Sequence, residues 1–477
     1  MSIPSQTLTV RDPGLALAPA AINSVLYLGR AEKGDLNTVY AFSSASDVVD
    51  TLGEGPLSED LAYHLSIAGA PVYAVALDGT AGAAGAVTPT RVGTSTGTIT
   101  VAGAARDAYS VIVEFTATGG LGGGDFSFSL DDGYTWSPTL LVPSGGTYTI
   151  ARTGLTLTFV PGAGPTIFEK GDKHKFVCTA PTYGPSEIND ALVAVAASGV
   201  EFALLILSGE HADANTAVTL YGQLSLGAST LMNQFRYVRV LVDAGSDDAG
   251  TTIDTFDAIA RDQRMCVVYG DAVCATAKPF MGWGVPRRAA VGVVAARAGA
   301  ILPSTDPARN ADGPLRGVRA ISHDEFRTQL MDQHGFTTLR TWQGATGFYI
   351  TNARLMSPPG SDYQYLQHGR LMDIACDVTY KTQMPFMNSA FALNDDGTIS
   401  ALDAERWEQA VTAALTAVLI DPDNAEGTQG HVSALGYAVN RQANVAQTNN
   451  VRTKVAIRPL GYAKQITTEL GFTAGGV

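Results

Sequence analysis

The sequence is poor in the residues that most often carry chemistry. Its 477 residues hold only four cysteines, Cys178, Cys266, Cys274 and Cys376, with no Cys-x-x-Cys pair among them. That spacing fits neither a disulfide scaffold nor a thiolate zinc site. Cys266 and Cys274 sit in apolar company and read as core thiols of a reducing compartment. The seven histidines (64, 174, 211, 323, 334, 368, 431) form no His-Glu-x-x-His and no pair at ligand spacing. No catalytic residue, metal or cofactor is therefore expected. The longest apolar candidates, such as Val285–Ala300, contain arginine and fall short of the roughly 18–20 residues of a membrane span. The first fourteen residues, MSIPSQTLTVRDPG, lack the basic start and apolar core of a secretory signal. Stable membrane insertion is not expected. Basic residues are outnumbered, giving a net charge of −14. Such a chain has no electrostatic footprint for phosphate, so no direct nucleic-acid partner is expected.

What is present is material for packed cores. The chain is 45% hydrophobic with 51 glycines, and only 16% of it is charged, below the usual quarter. A surface of small, sparsely charged residues suits a protein that buries itself against its own copies. The negative charge keeps a free subunit soluble, and salt screening favours association. The length corresponds to two to four domains.

Residues 1–20 are punctuated by Pro4, Pro13 and Pro19, which exclude a useful helix. Thr7-Leu8-Thr9-Val10 alternates as one strand. It is either a frayed terminus or an arm that adds a strand to a neighbour. Residues 21–80 read as compact α/β, with strands Ser24–Leu28 and Pro71–Leu77 around helix Leu57–Ala68. Residues 81–182 lose the helix formers and gain period-2 segments (Thr98–Ala102, Ser110–Thr116, Phe126–Leu130, Tyr148–Ala151, Leu155–Val160, Lys175–Thr179), the pattern of an inserted all-β, sandwich-like domain. Residues 183–345 form an α/β middle domain. Helix–strand pairs alternate up to about residue 300, predicting a largely parallel sheet, and an irregular Pro- and Arg-rich stretch follows. Residues 346–452 are α+β, with an amphipathic helix over Ser400–Leu419 whose face carries Leu402, Trp407, Val411, Leu415 and Val418. Residues 453–477 form a C-terminal arm. The fold class expected is thus α/β and α+β multidomain, with a core assembled from N- and C-terminal segments.

Four motifs test for chemistry. Gly93-Thr-Ser95-Thr-Gly97 matches G-x-S-x-G, but a strand-like TITVA follows where a nucleophile elbow needs a helix; it reads as a turn. Gly119–Gly124 lacks the Gly-Lys-Ser/Thr of a phosphate loop. Asp421–Gly427 lacks the glycine and closing glutamate of a calcium loop. Ser129-Leu-Asp131-Asp-Gly133-Tyr-Thr135-Trp136 resembles the Asp-box hairpin of sialidases and other glycan-associated β-proteins. Its physics is local: Asp131 satisfies turn amides, Gly133 supplies positive φ and Trp136 packs under the turn. One copy favours a structural hairpin, and Asp131 with Trp136 is the weaker candidate for a glycan contact. An arginine-rich stretch, Arg287, Arg288, Arg297, Arg309, Arg316 and Arg319, reads either as scattered solvent-facing residues or as contacts to other subunits.

The decisive stretch is Thr453-Lys-Val455-Ala-Ile457-Arg-Pro459-Leu-Gly461-Tyr-Ala-Lys-Gln-Ile466-Thr-Thr468-Glu-Leu470-Gly-Phe472. Val455 and Ile457 share one strand face, Pro459 and Gly461 break the ladder, and Ile466, Thr468, Leu470 and Phe472 form a second alternating face. This segment resembles the C-terminus of contractile phage-type tail sheath proteins. Trp342-Gln-Gly344, Thr351–Met356 and Ser361–Tyr365 followed by Arg370 resemble further motifs of that family, in altered order, as in a divergent member. The resemblance implies a non-enzymatic structural subunit of a virion tail, assembled in the bacterial host cytoplasm. It would polymerise with itself as stacked rings around an inner tail tube protein, meet baseplate and terminator proteins, and contract. It also implies that terminal arms complete sheets in neighbouring subunits by strand addition. Either Val455–Ile457 or Ile466–Phe472 is expected to lie in a sheet shared with a neighbour, Ile466–Phe472 being preferred and Thr7–Val10 its counterpart from a second neighbour, and Arg287, Arg288, Arg316 and Arg319 are candidate subunit or tube contacts. A bacteriocin or secretion-type device is equally compatible. A secreted glycan-binding protein or glycosidase is the alternative from a different class, motivated by the Asp-box.

Overall fold

The computed structural model describes residues 23–69, 71–162, 168–274, 287–321, 325–420 and 430–468. Thr7–Val10, Leu470 and Phe472 lie outside them, as does the whole of the Asp421–Gly427 loop. The chain divides into two compact units, Met1–Asp377 and Val378–Val477.

The first unit is organised by one six-stranded sheet. It starts with β1 (Val25–Arg30), β2 (Val39–Phe42), α1 (Ala45–Leu52), α2 (Pro56–Ile67) and β3 (Val72–Leu77). An all-β insertion follows: β4 (Thr88–Thr90), β5 (Thr98–Gly103), β6 (Tyr109–Ala117), β7 (Asp125–Ser129), β8 (Leu140–Leu141), β9 (Thr147–Ile150), β10 (Leu155–Val160) and β11 (Lys173–Cys178). The α/β rhythm then resumes through α3 (Pro185–Ser198), β12 (Leu204–Leu207), α4 (Ala214–Asn233), β13 (Arg239–Asp243), α5 (Ala249–Asp257) and β14 (Met265–Val268). The strand order is β14-β13-β12-β1-β3-β2, parallel except for β2. Strands on either side of the insertion, from 25–77 and 204–268, therefore share one sheet.

Both faces of this sheet are buried, as crossover helices require. Successive side chains point to opposite faces. Val25 and Tyr27 join one apolar cluster with α2 and α6 (Val291–Ala300), and Leu26 and Leu28 join another with α3, α4 and α5. Glycine lets α6 lie close on α2. A Cβ at Gly299 would stand 2.6 Å from His64 Cε1, and one at Gly292 would overlap the Asp60 carboxylate. The helices begin where side chains accept from orphan amides. Ser44 caps α1, Asp213 caps α4 and Asp248 caps α5.

The insertion is a two-sheet sandwich, β5-β10-β9 over β4-β11-β6-β7-β8. Its core is phenylalanine-rich, with Phe115 stacked on Phe168 at 4.1 Å between centroids. The stretch 301–345, expected to be irregular, contains β17 (Val318–Ile321), α7 (Thr328–Gln333) and β18 (Leu339–Trp342). β17 completes a small sheet with β15 (Asp271–Cys274) and β16 (Arg287–Ala289), while β18 pairs with β19 (Ala345–Ile350). Gly93–Gly97 is a turn leading into β5, with Ser95 buried, so it holds no exposed nucleophile. Helix α8 (Leu366–Gln383) crosses the boundary between the units.

The second unit contains α9 (Ala401–Leu419), β20 (Val432–Val439), the short α10 (Val445–Thr448) and β21 (Thr453–Pro459). Ser400 Oγ caps α9 by accepting from Asp403 N at 3.2 Å. Its buried stripe is Ala404, Trp407, Val411, Leu415 and Leu419. The expected stripe needs correction at both ends: Leu402 is exposed and Val418 half-buried. A regular spacing of 3–4 residues through Trp407 selects Ala404 and Leu419 instead.

Candidate assembly site

The C-terminal segment forms one strand inside its own chain. β21 pairs antiparallel with β20, from Val439 opposite Thr453 to Val432 opposite Pro459. Val455 and Ile457 are half-buried while Lys454, Ala456 and Arg458 are exposed, the alternation of a strand with one covered face. The ladder stops at Pro459, which has no N–H to donate. Residues 460–468 carry no secondary structure, and Ile466 is 80% exposed. Thr468 is also exposed. Gln383 Nε2 donates to Tyr437 Oη at 2.7 Å and Thr453 Oγ1 at 3.2 Å, tying α8's end to the hairpin. Among the described residues this two-stranded sheet has no third strand, so both of its outer edges present backbone groups for pairing.

The stretches that carried the upstream resemblance are architectural. The Arg354 guanidinium bonds the Asp332 carboxylate at 3.1 Å and Gln364 Oε1 at 3.1 Å, and lies over the Tyr365 ring at 5.0 Å. Arg370 is buried and donates to Ala298 O and Asn23 Oδ1, both at 2.7 Å. Burial lowers its pKa to about 10. Arg239 forms a fork with Asp373 at 2.6 Å on both arms. These residues pin the segment around 351–373 against the sheet.

The arginine stretch separates into two groups. Arg316 and Arg319 are exposed and remain available for contacts. Arg287 and Arg288 are not surface contacts of the subunit, and that expectation is corrected. The Arg288 guanidinium is buried between core and insertion. It bonds Glu59 at 2.8 and 3.1 Å, Asp107 Oδ2 at 3.1 Å and Tyr109 Oη at 3.1 Å. Burial raises the Asp107 pKa to about 6, against the pull of Arg288. Nearby, burial raises Asp60 to about 7, and Ser208 Oγ donates to its carboxylate. Arg106, paired with Glu32 at 2.6 Å and Glu54 at 2.8 Å, is a second tie between insertion and core. Sequence reasoning missed this network. Its members are far apart in the chain, and only a run of charges in otherwise apolar segments could have flagged it.

Arg287 covers the Asp-box. Its guanidinium stacks over Tyr134 at 4.3 Å and lies 3.7 Å from Asp131 Oδ2. Asp131 accepts from Ser129 Oγ (2.7 Å), Thr135 N (2.8 Å) and Thr135 Oγ1 (2.7 Å), and Trp136 Nε1 donates to Gly133 O at 3.0 Å. Gly133 has φ +94°. The polar groups of Asp131 and Trp136 are thus consumed by their own turn and by the core arginine, which favours the structural hairpin over a glycan contact. Among the described residues there is no cluster of His, Cys, Asp and Glu arranged to hold a metal ion, and no helix long and apolar enough to cross a membrane.

A family model, DUF2586, N-terminal domain, matches residues 8–354, well over half of the chain. The chain belongs to the DUF2586 family. No curated protein sequence matches this DUF2586 member. Solved structures do, over their whole length. A chain of the anti-feeding prophage helical sheath in the contracted state aligns with a TM-score of 0.54 at 13% identity, covering 100% of both chains. A chain from the anti-feeding prophage baseplate gives 0.54 at 14%, covering 99% of both. A chain from the contracted PVC sheath complex of an extracellular contractile injection system gives 0.53 at 11%, covering 99% of this chain and 98% of that one. At such identities the likeness is one of fold. This DUF2586 member has the fold of contractile sheath proteins, as its C-terminal resemblance implied.

Proposed function

We propose that this protein is the structural subunit of a contractile tail sheath, polymerising as stacked rings around an inner tube and contracting to drive that tube through a cell envelope. One observation carries the reading: the fold likeness to chains of contracted sheaths runs end to end, insertion and C-terminal unit included. A shared subdomain would leave the function open; a match covering both chains entirely leaves little room for a different trade. The role is mechanical, not enzymatic. Assembly takes place in the host cytoplasm, with baseplate, terminator and tube proteins as partners beside other copies of the chain.

The finer reading concerns the arms, residues 1–20 and 453–477, and a core built with the help of C-terminal segments. The open edges of β20 and β21 accept strands from neighbours, with Thr7–Val10 and Ile466–Phe472 as the donated strands. Each backbone hydrogen bond adds only about 0.5–1.5 kcal/mol net. Several per arm, repeated over a lattice, would keep subunits linked while their bodies rotate between two packings. Arg316 and Arg319 supply exposed positive charge on an otherwise acidic subunit for subunit or tube contacts.

Electron microscopy of the purified protein at raised salt tests this. Rings or helical tubes are expected. Two truncations, removal of residues 1–20 and removal of 461–477, leave the β20–β21 hairpin intact and are expected to abolish them. Tubes that persist in both truncations would refute the shared strands, and a chain that stays monomeric with tube protein present would refute the sheath.

A further inference from the structure

The parallel sheet reverses its winding beside β1. From β1 the chain builds outward to β3 on one side, and after the insertion it builds outward from β12 to β13 and β14 on the other. Open α/β sheets bind ligands outside the carboxyl ends of their strands, and a cavity lies beside this reversal, over the ends of β12 and β13. Here the root of the insertion, residues 178–183, lies beside the loops that follow β12 and β13. Between them is a cavity of about 290 Å³, whose lining includes Tyr183, Glu210, His211, Thr216, Leu220 and Ser246.

Two observations point to what the cavity accepts. His211 is only 4% exposed, yet neither ring nitrogen makes a hydrogen bond. Asp243 Oδ2 lies 3.5 Å from its Nδ1 but already accepts from the backbone N–H of His211 (3.1 Å) and Gly245 (3.0 Å). A buried polar side chain left without a partner is costly and unusual. The second observation is charge. Asp271, Asp107 and Asp243 all act on Glu210, and Arg288, which opposes them, is already bonded to Glu59 and Asp107. Burial and these carboxylates hold Glu210 well above the usual carboxylate range. The pocket therefore has acceptors and negative charge in excess of donors and positive charge.

We propose that this cavity binds a small organic cation, a primary amine or guanidine, with the Glu210 carboxylate as counter-ion and a ring nitrogen of His211 as hydrogen-bond acceptor. An ammonium brings three donors and no acceptor, matching what the site lacks. Leu220 and the Tyr183 ring provide apolar surface for its methylenes, and the hydroxyls of Thr216 and Ser246 can accept further. The ionised Glu210 carboxylate and the cation compensate one another in a site where burial disfavours either charge alone. Binding requires the amine to keep its proton, which it loses at about pH 10.

Isothermal titration of the full chain with 1,4-diaminobutane and with agmatine tests this, at pH 6.5 and 8.0. The expected result is one site per chain, with binding at pH 8.0 at least as tight as at pH 6.5. Glu210→Gln is expected to weaken binding about tenfold or more, as loss of a charge-assisted bond predicts; His211→Phe is expected to weaken it by less. Failure of both amines to bind at millimolar concentration, or binding unchanged by Glu210→Gln, would overturn the proposal.

Discussion

Replacing Arg288 by methionine isolates the tie between insertion and core. The side chain keeps similar bulk and loses the guanidinium. Glu59 and Asp107, 2% and 1% exposed, are left without the charge that now bonds both, and Tyr109 Oη loses its partner. Removing one member of a buried ion group typically costs about 3–5 kcal/mol, because the remaining charges stay desolvated. The loss has a pH signature. Asp107 already titrates near pH 6, and without Arg288 its pKa moves higher still. At pH 5 the variant relieves itself by holding the proton. At pH 8 it cannot, so the deficit grows by about 1–2 kcal/mol between the two. Urea unfolding at both pH values measures this, with proteolysis in 78–87 and 179–184 as the local readout at the root of the insertion. Combining Arg288→Met with Glu59→Gln and Asp107→Asn should recover at least half of the loss. A deficit under about 1 kcal/mol at pH 8, or one that does not change with pH, would refute the network as the fastening of the insertion.

Asp60 gives a second pH test. Its folded pKa is raised from 3.8 to about 7 by burial. The folded state therefore holds a proton that the unfolded chain has released, and stability falls as pH rises from about 4 to 7. Asp60→Asn is expected to match the parent at pH 4 and exceed it at pH 8, by about 4 kcal/mol at most. His64, lowered to about 4 by burial, has the opposite slope but is common to both proteins and cancels in the difference of their urea midpoints. Asp131→Ala removes three hydrogen bonds within the turn and should lower stability by about 2–4 kcal/mol, measured by thermal unfolding. Trp136→Phe keeps the packing and should cost only about 1 kcal/mol; a larger loss would mean the hairpin depends on the indole N–H.

The elements legible in the sequence were those with local causes. VLYL and PVYAVAL are continuous apolar runs of a strand covered on both faces, and they form β1 and β3. The insertion announced itself by alternation and by turn residues, and Leu155–Val160 matches its strand from end to end. The Asp-box closed as expected because all its partners lie within a few residues. β2, four residues with no burial pattern of its own, was not legible. Neither was the stripe of α9 at its ends, since Leu402, five residues before Trp407, falls off the face that the regular spacing selects.

By itself, the sequence determined the class of the molecule: apolar material for several cores, an α/β rhythm interrupted by an all-β insertion, and a C-terminal strand stopped by Pro459. These depend on composition and on neighbours in the chain. Only the tertiary structure decided what the charges do. Glu59, Asp107 and Arg288 are separated by up to 229 positions, and nothing in the local pattern tells a buried guanidinium from a solvated one. It was the insertion folding back on the sheet that drew them out of water, and it left His211 beside a cavity with both ring nitrogens unspent.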